Sequence, residues 1–310
     1  MKLRAYLFKQ IQRLVREAAE SLPIPPTPYY RVEMPPKDKA VMVYDNQLLA
    51  GKNVLITGAG QNIGRSIALE MAQQGATIYF TEINPDSCQA VEKELLRLSP
   101  QSRGFQLNIL HADEQSELLA WLDVNDMQID VLVNNIGKNG ATIKTEELDI
   151  EEWKSNYEIN LFGPIALTKE IAGRMIANDV RGNIIFLTSI HQELASRWPS
   201  YSSAKAALAS AVKELALDLA PKNIRVNGIA PGAVTKFEDD LLAPEPHTPL
   251  YQTTIDPDYI GRTAVYLASD YFSRFTTGSI MKIDAGLTLV SARSIQEKTR
   301  VEAPLLEGIP

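Results

Sequence analysis

The chain is poor in the residues that build metal centres and covalent cross-links. Its 310 residues include one cysteine, Cys88, so no intrachain disulfide can form, and a reducing, cytoplasmic setting is expected. Three histidines, His111, His191 and His247, stand far apart without metal-ligand spacing, so no metal site is expected. Nowhere do eighteen apolar residues follow one another, which argues against a membrane-spanning helix. An excess of positive charge is missing too. The formal net charge of -7 has the wrong sign for a chain whose main partner is nucleic acid. What remains is 45% hydrophobic and 22% charged, the profile of a globular protein with a large core.

The first residues differ from the rest. Leu3, Tyr6, Leu7, Ile11, Leu14, Val15, Ala18 and Leu22 form a helical stripe, and no acid precedes Glu17. Such a helix can lie on an anionic membrane or belong to a transit peptide, but no serine precedes Ser21. A helix packed on its own domain or on a neighbouring subunit is the favoured expectation. The proline-dense "PIPPTPYYRVEMPPKDK" then reads as an extended arm. Three regions are expected: residues 1–48 as amphipathic helix and arm, 49–289 as a catalytic domain, and 290–310 as a tail.

From Gln47 onward, short strands alternate with helices. Strand candidates are "NVLITG", "ATIYFTE", "GFQLN", "IDVLVNN", "GNIIFLTS", "IRVNGIAPG" and "SIMKID". A single long helix is expected from Glu151 to Ala177, and another over "PSYSSAKAALASAVKELALDLA". The strands are apolar on both faces and separated by helices. That predicts an α/β fold: a doubly wound parallel sheet of Rossmann type with helices on both faces. Such sheets bind ligands beyond the carboxyl ends of their strands.

The first strand-helix turn reads Thr57-Gly58-Ala59-Gly60-Gln61-Asn62-Ile63-Gly64. Glycines let backbone approach a pyrophosphate, and the following helix offers unpaired N–H groups to it. Glu82 lies eighteen residues past Gly64, at the end of the second strand. A carboxylate there can accept hydrogen bonds from ribose hydroxyls and would repel a 2′-phosphate, which favours NAD over NADP.

"YSSAK" places the Tyr201 phenol and the Lys205 ammonium four apart, on one face of a helix. A nearby cation is expected to lower the phenol pKa from about 10 toward the operating pH. Tyr201 would then act as general base in alcohol oxidation and general acid in carbonyl reduction. Ser189, twelve residues upstream, can polarise the substrate oxygen. Two other classes compete: a non-catalytic dinucleotide-binding sensor or scaffold, and a methyltransferase on a similar sheet. Neither requires the phenol.

These motifs together resemble the short-chain dehydrogenase/reductase family over about Leu49 to Thr288. Thr57, Gly58 and Gly64 match its glycine turn, with Asn62 in place of the middle glycine. "NNIG" (Asn134 to Gly137) resembles its Asn-Asn-Ala-Gly, and Pro231 and Gly232 its Pro-Gly after the sixth strand. Asn160 stands where the family has its helix asparagine, beside the Ser189, Tyr201 and Lys205 matches. The resemblance implies that Lys205 also holds the nicotinamide ribose and that Asn160 helps order a water-linked proton path. It adds Gly60, Ile63, Asn108, Ile109, Asn135, Gly137 and Val234 to the cofactor residues. Asn108 stands where an aspartate is frequent, and Thr235 one position before the usual threonine. Ser189 to Tyr201 is one residue shorter than the frequent spacing, and Thr188 is the alternative for the serine role.

The resemblance implies an NAD(H)-dependent oxidoreductase interconverting a secondary alcohol and a carbonyl. An NADP(H)-dependent 3-oxoacyl-type or sugar/polyol enzyme is the alternative within the family. His191 and Trp198 are the candidate substrate residues, and "SIHQE" is similar to sugar dehydrogenases of the family. A homodimer or homotetramer is expected.

Overall fold

The computed structural model describes residues 47–108, 110–140, 144–235, 248–250 and 253–290. Seven strands form one parallel sheet: β1 (Asn53–Thr57), β2 (Thr77–Glu82), β3 (Arg103–Gln106), β4 (Val131–Asn134), β5 (Asn183–Leu187), β6 (Arg225–Pro231) and β7 (Ile280–Ile283). Their spatial order is β3-β2-β1-β4-β5-β6-β7. Chain direction across the sheet therefore reverses between β1 and β4, and a crevice opens at their carboxyl ends. The helices are α1 (Asn62–Gln73), α2 (Pro85–Leu98), α3 (Ala112–Val124), α4 (Ile150–Tyr157), α5 (Gly163–Ala177), α6 (Pro199–Leu219), α7 (Pro257–Ala268) and the short α8 (Asp270–Ser273). Among the described residues, no helix is long and apolar enough to cross a membrane. The N-terminal stripe, the proline-rich arm and the tail lie outside the described residues.

Each strand sends alternate side chains to opposite faces, and both faces are apolar. Val54, Ile56, Val133 and Ile185 pack with α1, α2 and α7 on one side. Leu55, Leu132, Ile184 and Phe186 pack with α3, α5 and α6 on the other. Burial on both faces is why these strands read as continuous hydrophobic runs.

The helix expected as one piece from Glu151 to Ala177 is interrupted. A π turn over Glu158–Phe162 separates α4 from α5, and the Gly163 N–H reaches back five residues to the Glu158 carbonyl. The cause is in the sequence. Pro164 has no N–H to give to the Asn160 carbonyl four residues earlier, and its ring would crowd that oxygen. Asn160, within the widened turn, is fully buried and bonded to the backbone of Lys138.

Phe186 is fully buried in the middle of β5. Phe186→Ala should lower stability by about 3–5 kcal/mol. In urea unfolding the midpoint should fall while the slope stays unchanged.

Candidate active site

The glycine turn is built from close contacts. Gly58 takes φ +65°, and a Cβ on Gly64 would sit 2.3 Å from the Gly58 carbonyl oxygen. Asn135, at the end of β4, fastens the turn. Its amide Nδ2 donates to the carbonyls of Thr57 (3.0 Å) and Gly58 (2.8 Å), and its own N–H donates to Thr57 Oγ1 at 3.0 Å. Helix α1 then starts at Asn62 with no side-chain cap and no acid in its first turn. Its first N–H groups and the positive end of its dipole face the crevice, which suits an anion.

Glu82 is nine-tenths buried at the end of β2. Its Oε2 accepts from the Gly60 N–H at 2.9 Å, and its Oε1 accepts from the N–H groups of Ile83 (2.9 Å) and Asn84 (3.0 Å). The carboxylate thus lines the crevice and also clamps the glycine turn to β2, a second duty its position alone did not announce. Gly58, Gly64, Glu82 and Asn108 line a cavity of about 470 Å³ on this side. Asn108 is spent on its own turn: its Oδ1 accepts from the Leu110 N–H (3.1 Å) and its Nδ2 meets His111 Nε2 at 3.1 Å. Ile109 lies outside the described residues.

A larger cleft of about 900 Å³ continues past the carboxyl ends of β5 and β6, lined in part by Pro231, Gly232 and Val234. Asn62, Ile63, Asn135 and Gly137 line both cavities and so mark where they meet. Gly137 has a steric reason to be glycine: a Cβ there would lie 3.0 Å from Asn160 Oδ1 and 3.2 Å from Lys205 Nζ. Together the two cavities offer an anion-binding helix end, a carboxylate and an elongated volume, a set that fits a dinucleotide. Among the described residues, no cluster of His, Cys, Asp and Glu is placed to hold a metal ion.

Three predicted side chains, Ser189, Tyr201 and Lys205, line the larger cleft, and Asn160 is buried behind Gly137, which also lines it. Ser189 follows β5 in extended backbone and caps a single 3-10 turn, its Oγ accepting from the His191 N–H at 3.2 Å. Tyr201 sits in the first turn of α6, nine-tenths buried and joined to Ser189 by a side-chain hydrogen bond. Lys205, one turn on, is almost wholly buried. Its Nζ donates to the Leu187 carbonyl at 2.8 Å and lies 5.7 Å from the centre of the Tyr201 ring. The Asn160 amide is locked to one residue of the opposite loop, accepting from the Lys138 N–H (3.2 Å) and donating to the Lys138 carbonyl (2.9 Å). Thr188 points the other way and gives its hydroxyl to the Ile229 carbonyl at 3.1 Å.

His191 and Trp198 line the same cleft. Their rings lie 4.9 Å apart, and the Tyr201 ring meets His191 edge-on at 5.5 Å and Trp198 at 6.1 Å. His191 Nδ1 is hydrogen-bonded to Ser196 Oγ, and burial holds its pKa below the usual histidine range. Ser196, the Leu187 carbonyl and the Lys138 backbone escaped the sequence reading. Two of the three are main-chain groups, which leave no side-chain signature.

The electrostatics correct one expectation. The Tyr201 pKa is raised, not lowered: burial outweighs the opposing hydrogen bond with Ser189. Lys205 bears the other side of the same burial, its pKa lowered from 10.5 to about 8. Between about pH 8 and 10.5 the unfolded chain holds a proton that the folded chain has released, so this group makes stability rise with pH there. Below about 8 the cost of a buried ammonium is fully present, on the order of 3 kcal/mol. Lys205→Met should therefore raise unfolding stability by about that amount at pH 7, with the gain shrinking toward pH 10.5. Denaturant melts at both pH values measure it. A variant no more stable than the parent at pH 7 would show that the ammonium is already compensated.

Comparison with known proteins gives a consistent picture. A family model described as short chain dehydrogenase matches residues 52–242. The 7alpha-hydroxysteroid dehydrogenase of Escherichia coli (strain K12) is 34% identical over 250 residues, spanning 78% of this chain and 96% of that protein. Glucose 1-dehydrogenase 2 of Bacillus subtilis (strain 168) is 29% identical over 254 residues, with 78% and 96% covered. The solved structure of a 7 alpha-hydroxysteroid dehydrogenase complexed with NADH and 7-oxo glycochenodeoxycholic acid is similar with a TM-score of 0.71 at 32% identity, covering 79% of this chain and 98% of that one. Sheet order, glycine turn and sequence agree: the chain belongs to the short-chain dehydrogenase family and is an oxidoreductase of hydroxyl and carbonyl groups.

Proposed function

We propose that the protein interconverts a secondary alcohol and a carbonyl with NAD(H), using Ser189, Tyr201, Lys205 and Asn160. The observation that carries this reading is the Tyr201 hydroxyl, buried at the inner end of the cleft, hydrogen-bonded to Ser189 and one helical turn from Lys205. Bound nicotinamide supplies hydride chemistry; the protein supplies position and protons. Ser189 donates a hydrogen bond to the substrate oxygen and steadies the charge that develops there. Tyr201 gives its proton to that oxygen in reduction and takes one in oxidation. The raised pKa keeps the phenol protonated at neutral pH in the free enzyme, the form reduction needs. Lys205 faces the same cavity and holds the cation that supports both cofactor and phenol. Asn160 braces the loop around Lys138 so that the cleft keeps its shape.

NAD is favoured over NADP by the Glu82 carboxylate, which stands where a 2′-phosphate would need a cation. A similar protein has been solved with NADH. Helix α1 and Gly64 would receive the pyrophosphate. His191 and Trp198 would form the substrate wall, a rigid aromatic surface with the imidazole kept neutral by burial.

Tyr201→Phe should lower kcat about 10²–10⁴-fold while NADH binding persists. NADH absorbance over a panel of secondary alcohols and ketones reads this out. For the wild type, kcat/KM for reduction should stay level through neutral pH and fall above the raised phenol pKa, while oxidation climbs toward it. Activity within tenfold of wild type in the phenylalanine variant would remove Tyr201 from the chemistry.

We also propose a homodimer or homotetramer. Ile150, Phe162 and Leu217, on the helices α4 and α6 and the intervening π turn, are exposed apolar residues that a second copy would cover. Residues 1–46 are proposed to clasp a neighbour. Their deletion should reduce the assembly mass seen by light scattering, and an unchanged mass would discard the clasp.

A further inference from the structure

One residue of the glycine turn does something a glycine there could not. Asn62 takes a left-handed backbone, φ +45°. Asparagine tolerates that region better than most residues with a side chain. Its Nδ2 donates to the Thr235 carbonyl at 2.9 Å, joining positions 173 residues apart. The bond runs from the start of α1 to the segment leaving β6. Both residues line the larger cleft, and Asn62 also lines the smaller one, at the point where the two cavities meet.

The receiving end is fixed. The Thr235 N–H donates to the Ile255 carbonyl at 3.0 Å, and its hydroxyl shares a 2.6 Å hydrogen bond with Thr254. Val234 forms a β-bridge with Ile255. The other end is under-secured. Asn62 Oδ1 is buried and has no hydrogen-bond partner among the described residues. A buried acceptor without a partner is unfavourable, so the amide is held by one bond against a standing cost. A brace built for stability would satisfy both atoms of the amide. A bar that must open and close need not.

We propose that Asn62 is a positioning residue that gates the dinucleotide: its amide bars the cleft between the glycine turn and Thr235, and the bar opens for cofactor to enter and leave. The proposal rests on the reading that this cleft takes a nicotinamide dinucleotide. A gate raises the barrier in both directions and leaves the end states nearly alone. An affinity contact or a structural brace changes Kd or stability instead.

The test is stopped-flow NADH binding to the full chain, wild type against Asn62→Gly, with thermal unfolding alongside. Loss of one neutral hydrogen bond should speed association and dissociation alike, each about five-fold. Kd should stay within about two-fold, and the melting temperature should barely move, as one part-buried bond is small beside the whole. Asn62→Ala, which also removes the donor, repeats the rate measurement: its rates should follow those of the glycine variant, while its strained left-handed backbone lowers the melting temperature. Unchanged rates, or faster dissociation alone, overturn the gate. Wild type that binds neither NADH nor NADPH defeats the dinucleotide reading itself, and the gate with it.

Discussion

A charged amine with almost no water around it sets the terms for the rest of the site. Lys205 is enclosed by α6, the end of β5 and the loop after β4, and among the described residues its Nζ donates to a main-chain carbonyl, that of Leu187. A group in that position is tolerated only where the surrounding fold is strong enough to carry it. The two-sided apolar sheet provides that strength. The residues around Lys205 are chosen for fit: Gly137 because a Cβ there would crowd the Asn160 amide and the ammonium, and Asn160 because its amide closes the neighbouring loop.

The same division between rigid frame and costly site recurs at the other end of the crevice. Helix α1 has no side-chain cap, so its first N–H groups remain available. Asn135 and Glu82 hold the turn from two neighbouring strands, which lets the helix end stay open without fraying. At the π turn, Pro164 removes one rung of the helical ladder, and Asn160 occupies the resulting irregularity. The open start of α1 and the left-handed Asn62 face the crevice, a pattern typical of functional sites.

The sheet and its helices were legible because burial on both faces leaves a simple trace: short apolar runs bounded by glycine, asparagine and proline. The converging set of Ser189, Tyr201, Lys205 and Asn160 was legible because side chains carry the chemistry and their order along the chain is distinctive. Three things were less so. The break in the long helix was written in Pro164 but lost in an otherwise helical pattern. The partners of Lys205 and Asn160 are backbone atoms, which every residue possesses. The direction of the Tyr201 shift depends on how much water reaches the phenol. Spacing alone shows the cation four residues away and says nothing of that exclusion.

Glu82 shows how two jobs in one carboxylate constrain change. It meets the part of the crevice where adenosine ribose would lie, and it also ties the glycine turn to β2 through the Gly60 N–H. Exchanging it for a residue without an acceptor oxygen, to welcome a phosphorylated cofactor, would remove the bond to the Gly60 N–H and leave Thr81 to hold the turn to β2 through Gly58 and Ala59. On the proposed NAD reading, coenzyme preference and part of the turn's anchoring rest on the same carboxylate. A lineage that altered the first would have to rebuild the second with compensating substitutions nearby.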